Sequence, residues 1–270
     1  MDFDQFRVKP GTRPDLSGFS CRQDGGYSRD ELKDMREAVW KELDNYQEEL
    51  FAEGKQSLLV VLQAMDAAGK DSTIAKLTGN LIAHGCNVHS FKKPTKLELA
   101  HDFLWRVHYK APAKGGITLF NRSHYEDVLI VKVHNWASEE IIDRRYDHIN
   151  NFESLIADSD TKVIKFMLHI TPEYQLERFK QRLSDPEKYW KFNPGDLDER
   201  ALWADYMAAF ETALERCSTE QAPWYVVPAE NRRFRDLMVA SVMLQTLKEM
   251  DPRHPEPDFD PAVFTVDSIK

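Results

Sequence analysis

A glycine and a lysine stand side by side in residues 64–73, AMDAAGKDST, where their spacing resembles an altered phosphate-binding loop. The common pattern is a glycine, four residues, Gly-Lys, and then a serine or threonine. Gly69 and Lys70 match it, whereas Ala64 replaces the first glycine and Asp71 replaces the hydroxyl residue. Unpaired N–H groups at a helix N-terminus and a nearby lysine attract phosphate. We expect a phosphate site here; the alternative is merely a capped helix start.

Two carboxylates in this segment need a separate explanation. Asp66 lies inside the loop and Asp71 stands where a neutral magnesium ligand is usual. Both would repel phosphate unless a cation lies between them, and carboxylate oxygens are good ligands for Mg²⁺. The segment therefore predicts a site that works with a metal.

A second group of polar residues follows a short apolar run in residues 115–128, GGITLFNRSHYEDV. In phosphate-loop proteins the neighbouring strand commonly ends in an aspartate that positions Mg²⁺. Here the strand ends in Asn121, and the acids Glu126 and Asp127 come five and six positions later. Arg122 is placed to neutralise charge on a transferred phosphate. The alternative is a surface arginine paired with Asp127 or Glu126.

A third basic group lies in residues 174–200. Arg178 and Arg182 are four residues apart, so a helix would put both on one face. Proline follows at 186, and two lysines, Lys188 and Lys191, flank Trp190. We expect a basic lid that closes over phosphates and excludes water. The alternative is a solvated charged helix with Trp190 as a core anchor.

Composition narrows the classes of protein. The chain has 270 residues, 42% of them hydrophobic, and a net charge of −9, which argues against general binding to nucleic acid or anionic membranes. Residues 70–132 are an exception, with ten Lys and Arg against five Asp and Glu. No apolar run approaches the ~20 residues that cross a bilayer. The N-terminus lacks a secretion signal, and we expect a cytoplasmic protein.

Strand patterns alternate with helical patterns along the chain, which predicts an α/β fold with a mainly parallel sheet. The predicted strands are residues 57–64, 87–91, 116–120, 162–170 and 224–229. The predicted helices lie near residues 70–84, 96–110, 138–158, 172–184, 196–216 and 231–249. An earlier helix should begin after Ser28, with Glu31 as reciprocal cap, and end at Gly54. We therefore predict an irregular arm (1–28), a single domain (29–250) with a lid at about 174–200, and a proline-rich tail (251–270).

The motifs MDAAGKD, FNRSHYEDV and RLSDPEKYWKFNPGDL, with the intervening HDFLWRVHYKAPAKG, together resemble the family-2 polyphosphate kinases over about residues 30–250. The resemblance implies a P-loop kinase fold of the thymidylate-kinase type: three layers, a parallel five-stranded sheet and a helical lid. It implies phosphoryl transfer between inorganic polyphosphate and nucleoside mono- or diphosphates, with Mg²⁺ or alternatively Mn²⁺. It also implies a homo-oligomer, a dimer or tetramer. From the net charge and the lack of a long apolar run we expect neither a nucleic-acid nor a membrane partner.

The resemblance also implies roles for individual residues. The catalytic set would be Asp66, Lys70, Arg122, Arg178 and Arg182. Phosphate-binding residues would be Ala67, Ala68, Gly69, Lys70, Asp71, Ser72, Lys76, Lys92, Lys93, Lys114, Lys188 and Lys191. The nucleotide would contact Asn121, Arg122, Glu126 and Asp127, and the metal ligands would come from Asp66, Asp71, Glu126 and Asp127.

The chain departs from the family pattern at one place, where DRSWYNR reads NRSHYED and Asn121 replaces the usual aspartate. This variant and the segment FRVKPGTRPDLS resemble the class III subgroup, associated with phosphorylating both AMP and ADP. Three alternatives stay open: an ADP-only polyphosphate kinase, an ATP-dependent nucleoside-monophosphate kinase, and a polyphosphate binder without catalysis. A GTPase is disfavoured because the chain has no N-K-x-D motif.

Overall fold

Five strands form one parallel sheet in the computed structural model, which describes residues 3–269. Its order is β2-β3-β1-β4-β5, so β1 is central. The strands are β1 (Ser57–Gln63), β2 (Cys86–Ser90), β3 (Ile117–Asn121), β4 (Thr161–His169) and β5 (Trp224–Pro228). Each lies within one or two residues of its predicted position. The predicted α/β class with a parallel five-stranded sheet is confirmed.

Helices cover both faces of the sheet. The helices are α1 (Arg29–Glu53), α2 (Lys70–Thr78), α3 (Lys96–Leu99), α4 (Trp105–His108), α5 (Ile130–Val133), α6 (Glu139–Ala157), α7 (Pro172–Leu183), α8 (Gly195–Ala201), α9 (Trp203–Cys217) and α10 (Arg232–Met250). Short 3₁₀ helices occur at Asp4–Phe6, Leu16–Gly18, Ala83–Gly85, His124–Asp127, Pro186–Lys191 and Val266–Ser268. Helices α1, α2 and α10 pack on one face, and α6 and α9 on the other.

The position of β1 in the sheet explains why residues 58–62 are apolar without alternation. Leu58, Val60 and Leu62 enter the core beneath α1, α2 and α10, whereas Leu59 and Val61 enter the core beneath α6 and α9. A strand buried on both faces needs apolar side chains at every position. The three-layer arrangement follows from this double burial.

Three predicted helices differ from the structure. The helix predicted near 70–84 ends at Thr78, where Asn80 Nδ2 donates to the Lys76 carbonyl (2.7 Å) and ends the turn. The helix predicted near 96–110 is two four-residue helices, because the Asp102 carboxylate accepts from Leu104 N (2.9 Å) and turns the chain between them. The helix predicted near 196–216 is interrupted at Leu202.

The long helix α1 begins and ends as predicted. Ser28 Oγ accepts from Glu31 N (3.3 Å) and Glu31 Oε2 accepts from Ser28 N (2.8 Å), which completes the capping box. Gly54 ends the helix with φ of 65°, a conformation that glycine adopts without penalty.

The arm before α1 is irregular but firmly packed. Phe3, Phe6, Val8 and Leu16 are buried, and Val8 N donates to the Trp224 carbonyl (2.9 Å) beside β5. In the tail, residues 253–266 are exposed. The division into arm, domain and tail stays a prediction. Across residues 3–269, no helix has the length and apolar character needed to cross a bilayer.

A buried ion pair fixes the turn that follows β3. Lys165 on β4 forms a short ion pair with Glu153 on α6 and donates to Tyr125 Oη (2.9 Å). Glu153 also accepts from Tyr125 (2.9 Å) and contacts His124 Nε2 (3.2 Å). Burial opposes ionisation of Glu153, but Lys165 and His124 outweigh it and lower the pKa of Glu153. The network therefore holds residues 124 and 125, just after Arg122, against the sheet.

Replacing Lys165 with methionine should destabilise the fold strongly, because Glu153 would keep its buried charge without the main partner. The expected loss is about 3–5 kcal/mol. Urea unfolding measures it. The double variant Lys165→Met/Glu153→Gln, which removes both charges, should recover much of the loss. Equal stability of the single and double variants would show that an unpaired charge on Glu153 is not the cause of the loss.

Candidate active site

The phosphate loop, residues 64–69, leaves the end of β1 and turns sharply into α2. Ala67 (φ 67°) and Gly69 (φ 105°) both occupy the left-handed region. For a residue with a Cβ this conformation costs on the order of 1 kcal/mol, and such strain concentrates at functional loops. A Cβ on Gly69 would also lie 2.1 Å from Arg235 Nη1, so only glycine fits there. The strand–loop–helix context expected for a phosphate loop is present.

Lys70 is buried at the first position of α2, and the loop folds around it. Its Nζ donates to the Ala64 carbonyl (2.9 Å) and lies 3.5 Å from the Met65 carbonyl. Burial, and secondly the charge of Arg122, lower the pKa of Lys70, while Asp66, Glu126 and Asp71 oppose the shift. The ammonium is thus held by neutral carbonyl groups and has not been neutralised by a salt bridge. An anion in the loop would find an available positive charge.

The end of β3 meets the phosphate loop directly. Asn121 Nδ2 donates to Asp71 Oδ1 (2.6 Å), and Arg122 Nη2 donates to Asp66 Oδ1 (2.8 Å). Arg122 therefore pairs with a loop carboxylate rather than with Asp127 or Glu126. Burial acts to lower the pKa of Arg122, but the carboxylates of Glu126 and Asp66 outweigh it and raise that pKa. The guanidinium is fully charged at the mouth of the loop.

The two acids after β3 have different surroundings. Glu126 lies near the loop, where Gln63 Nε2 donates to its Oε1 (3.1 Å). Asp127 lies beside Arg145, whose Nη1 is 3.4 Å from Asp127 Oδ1 and donates to the Asp127 carbonyl (2.8 Å). Burial raises the pKa of Asp127 to about 6, although Arg145 opposes the shift. Of the two, only Glu126 lines a cavity that reaches the loop.

The lid consists of α7, the 3₁₀ helix Pro186–Lys191 and α8. Arg182 Nη1 holds these pieces together, because it donates to the Lys191 carbonyl (2.8 Å) and pairs with Asp196 (3.3 Å). Arg178 hydrogen-bonds to the neutral amide of Gln181. Burial, and secondly nearby Arg232, lower the pKa of Arg178. Trp190 is exposed on the cleft wall rather than anchored in the core.

The loop, the end of β3 and the lid enclose one cleft of about 680 Å³. It is lined by Asp66, Ala67, Gly69, Lys70, Asp71, Ser72, Ser90, Phe91, Lys92, Lys93, Asn121, Arg122, Arg178, Arg182, Lys188, Trp190 and Lys191. Among residues 3–269, no carboxylate lies within 4 Å of the ammonium or guanidinium groups of Lys70, Lys92, Lys93, Arg178 and Lys191. The cleft is therefore strongly cationic within an acidic chain.

Two of the lysines predicted to bind phosphate lie outside this cleft. Lys76 is on the exposed side of α2. Lys114 precedes β3 and pairs with Asp160 (2.7 Å), which precedes β4. In a parallel sheet the residues before the strands lie at the edge opposite the residues after them. Lys114 is thus at the far end of the sheet from the loop.

A smaller cavity of about 240 Å³ adjoins the cleft and shares Asp66 and Arg122 with it. Its other walls are more apolar and more acidic. They are Ala64, Met65, Glu126, Leu129, Ile130, Asn193, Gly195, Asp196, Glu199, Tyr206 and Phe210. The Asp66–Arg122 pair therefore stands at the boundary between a cationic compartment and a mixed one.

Sequence reasoning missed several residues that shape this site. Gln175 Nε2 donates to the Asp66 carbonyl (3.0 Å) and ties the lid helix to the loop. From α10, far away in sequence, Arg235 reaches the loop and Asp236 reaches Thr73 of α2. The one signal for that pair was an Arg-Asp dipeptide directly before a mainly apolar run, LMVASVML. Glu199 on α8 and Tyr206 on α9 gave no signal, since only the folded chain brings them together at the smaller cavity.

The carboxylates of the cleft fit a metal that arrives with a phosphate ligand. Within the described part of the chain, no three His, Cys, Asp or Glu side chains form a metal-holding group. Mg²⁺ usually binds one or two protein carboxylates together with substrate phosphates and water. Asp66 and Asp71 supply two carboxylates on the cleft wall, which suits that mode of binding.

A glycine-containing loop between the central strand and a helix, beneath a basic lid, defines a phosphate-loop protein. A family model described as polyphosphate kinase 2 matches residues 26–255. The chain is 42% identical over 256 residues to the AMP/ADP-polyphosphate phosphotransferase of Meiothermus ruber, covering 94% of this chain and 96% of that protein. It is 38% identical over 265 residues to the ADP-polyphosphate phosphotransferase of Rhodopseudomonas palustris, covering 93% and 92%.

Solved structures agree with these sequence relatives. The crystal structure of polyphosphate kinase 2 from Arthrobacter aurescens matches with a TM-score of 0.92 and 41% identity, covering 96% of this chain and 93% of that one. The chain belongs to the polyphosphate kinase 2 family. The expected family is confirmed; its subgroup stays a prediction.

The Asn121→Asp variant should make thermal stability depend more strongly on Mg²⁺. It places a carboxylate against Asp71, where an amide now donates a hydrogen bond. We expect a lower melting temperature in EDTA, by about 2–4 °C per kcal/mol lost, and a larger upward shift on adding Mg²⁺. Asn87→Asp, the same change at an exposed position of β2, is the matched control. Identical Mg²⁺ shifts in Asn121→Asp, the control and the unsubstituted protein would contradict a metal near Asp71.

Proposed function

We propose that the chain transfers the terminal phosphoryl group of inorganic polyphosphate to nucleotides, converting AMP to ADP and ADP to ATP reversibly with Mg²⁺. The names of the Meiothermus and Rhodopseudomonas relatives, AMP/ADP- and ADP-polyphosphate phosphotransferase, support this reaction. The observation that carries the proposal is the meeting of two unlike cavities at Asp66 and Arg122. One compartment suits a chain of phosphates, and the other suits a nucleotide.

The cationic cleft supports polyphosphate as donor. Polyphosphate has neither base nor sugar, so a protein can recognise it only through charge and hydrogen bonds to phosphate oxygens. Lys92, Lys93 and Lys191 extend the row of positive charges from the loop to the lid. A nucleotide donor would need only a short phosphate site and a surface for its base. The length of the cationic wall favours the longer polyanion.

The smaller cavity supports a nucleotide as acceptor. Leu129, Tyr206 and Phe210 supply apolar surface, and Glu126 and Glu199 supply acceptor oxygens. Its shared residue Arg122 would contact the acceptor phosphate where the two compartments meet. The acceptor's terminal phosphate would then face the end of the polyphosphate chain.

The chemistry follows from positioning and charge. A terminal phosphate oxygen of the acceptor forms a bond to the last phosphorus of polyphosphate, and the bridging P–O bond to that phosphorus breaks. The polyphosphate that leaves is one phosphate shorter. No general base is needed, because the attacking oxygen is already ionised. Lys70, Arg122 and Arg178 would bind the transferring group and neutralise charge on its oxygens, which is the main source of catalysis in such transfers.

Asp66 with Asp71 or Glu126 would hold the metal, and Asp127, buried against Arg145, stays outside this set. When bound, Mg²⁺ or alternatively Mn²⁺ would supply further neutralisation of phosphate charge. Use of both AMP and ADP, the class III subgroup, the cytoplasm as location and a homo-oligomeric state, dimer or tetramer, belong to the proposal on the strength of the sequence resemblance.

The decisive assay gives the purified chain Mg²⁺, long-chain polyphosphate, and either AMP or ADP, with no ATP present. ATP from both mixtures would support the dual-acceptor proposal. ATP from the ADP mixture alone would support phosphoryl transfer to ADP and contradict transfer to AMP. Parallel mixtures without polyphosphate are the control, because a contaminating kinase that makes ATP and AMP from two ADP would give ATP there as well. Product from AMP with ATP but none with polyphosphate would indicate an ATP-dependent nucleoside-monophosphate kinase, and binding of polyphosphate without product would indicate a binder.

The Lys70→Ala variant should lower kcat by roughly 10²–10³-fold, because its charge acts on the transferring phosphate. Initial rates with saturating ADP and polyphosphate measure the effect. Lys55→Ala removes an exposed lysine before β1, at the opposite end of the sheet, and is the matched control. A Lys70→Ala variant as fast as this control would refute the assignment of the loop.

A further inference from the structure

Arg235 lies beneath the phosphate loop although it comes from α10, which is far from the loop in sequence. Its side chain is 2% exposed. Nη1 donates to the Ala68 carbonyl (3.3 Å), Nη2 donates to Ser72 Oγ (3.1 Å), and Nε donates to Asp236 (2.9 Å). One guanidinium thus joins the loop and the first turn of α2 to the buried body of the protein.

The bond to the Ala68 carbonyl sets the direction of the next amide. In a trans peptide the C=O and N–H groups point in opposite directions. Arg235 holds the Ala68 oxygen on the buried side, so the Gly69 N–H must point outward, and Gly69 lines the cleft. Rotation of that peptide would turn a carbonyl oxygen toward the site and repel phosphate.

The contact is tight and is itself held in place. A Cβ on Gly69 would lie 2.1 Å from Arg235 Nη1, so loop and guanidinium touch closely. Asp236 pairs with Arg235 (2.8 Å) and accepts from Thr73 Oγ1 (3.3 Å) on α2. Thr73 and Asp236 are both buried. Because Asp236 offsets the charge of Arg235, the pair orients the loop more than it adds positive potential.

We propose that Arg235, held by Asp236, is a positioning residue that turns the Gly69 N–H toward the polyphosphate and so sets affinity for the donor. The inference rests on the proposed function, since it assigns the loop to polyphosphate. The acceptor cavity contains neither Arg235 nor Gly69. Loss of the hydrogen bonds from the Arg235 guanidinium should therefore weaken donor binding and leave acceptor binding nearly unchanged.

Two variants of the full chain test this without leaving an unpaired buried charge. Arg235→Lys keeps the charge beside Asp236, but a single ammonium cannot reach Ala68, Ser72 and Asp236 with the geometry of a planar fork. Arg235→Gln/Asp236→Asn removes both charges. Arg233→Lys changes an arginine two residues earlier in α10 and is the matched control. Steady-state kinetics give KM for polyphosphate and for ADP, and calorimetry gives Kd for inorganic tripolyphosphate.

We expect both variants to raise the KM for polyphosphate and the Kd for tripolyphosphate about tenfold or more, the value of one hydrogen bond from the Gly69 N–H to a charged phosphate oxygen. The KM for ADP and all values for Arg233→Lys should stay within about twofold of the unsubstituted protein. Donor values unchanged in Arg235→Lys, or KM values for donor and acceptor raised equally, would overturn the inference. Either of these results would contradict the role of Arg235 but not phosphoryl transfer by the unsubstituted protein. Failure of the unsubstituted protein to use polyphosphate would overturn the proposed function itself.

Discussion

The register between β1 and β3 is the constraint on which the rest of the site depends. Leu62 lies opposite Asn121, and Arg122 N donates to the Leu62 carbonyl (3.0 Å), which fixes where the two chains leave the sheet. From there the phosphate loop and the turn after β3 start side by side. Arg122 then has a positive φ of 61°, which bends it toward the loop. A shift of β3 by one residue would turn its side chains to the opposite face of the sheet and separate Asp66 from Arg122.

Three cations of the cleft contact neutral groups rather than carboxylates. Lys70 is held by carbonyl oxygens, Arg178 by an amide, and Lys191 lies 4.9 Å from the centre of the Trp190 ring. Salt bridges with carboxylates would stabilise these cations more but would compete with a bound anion. The arrangement gives up local stability to keep positive charge available. A net charge of −9 over the whole chain confines attraction for polyanions to this cleft.

Local patterns predicted the elements of the fold and the three segments that line the cleft. Strand periodicity, the Gly-Lys pair and the paired arginines each depend only on residues that are close together in sequence. They could not predict contacts between distant segments. Lys114 counted as part of a basic stretch, yet its place before β3 puts it against Asp160 at the other edge of the sheet. Arg235 lay 165 residues from Lys70 in sequence, and only the packing of α10 against α2 brings it under the loop.

Asn121 shows how a single neutral residue can adjust the charge of such a site. With an aspartate there, two carboxylates would share the position now occupied by one carboxylate and one amide donor, 2.6 Å apart. Repulsion between them would favour a metal ion even before substrate binds. With asparagine, Asp71 already accepts a hydrogen bond, so a bound metal would take more of its ligands from phosphate oxygens. Metal and polyphosphate binding should therefore be coupled, each strengthening the other, more than in a site with two adjacent carboxylates.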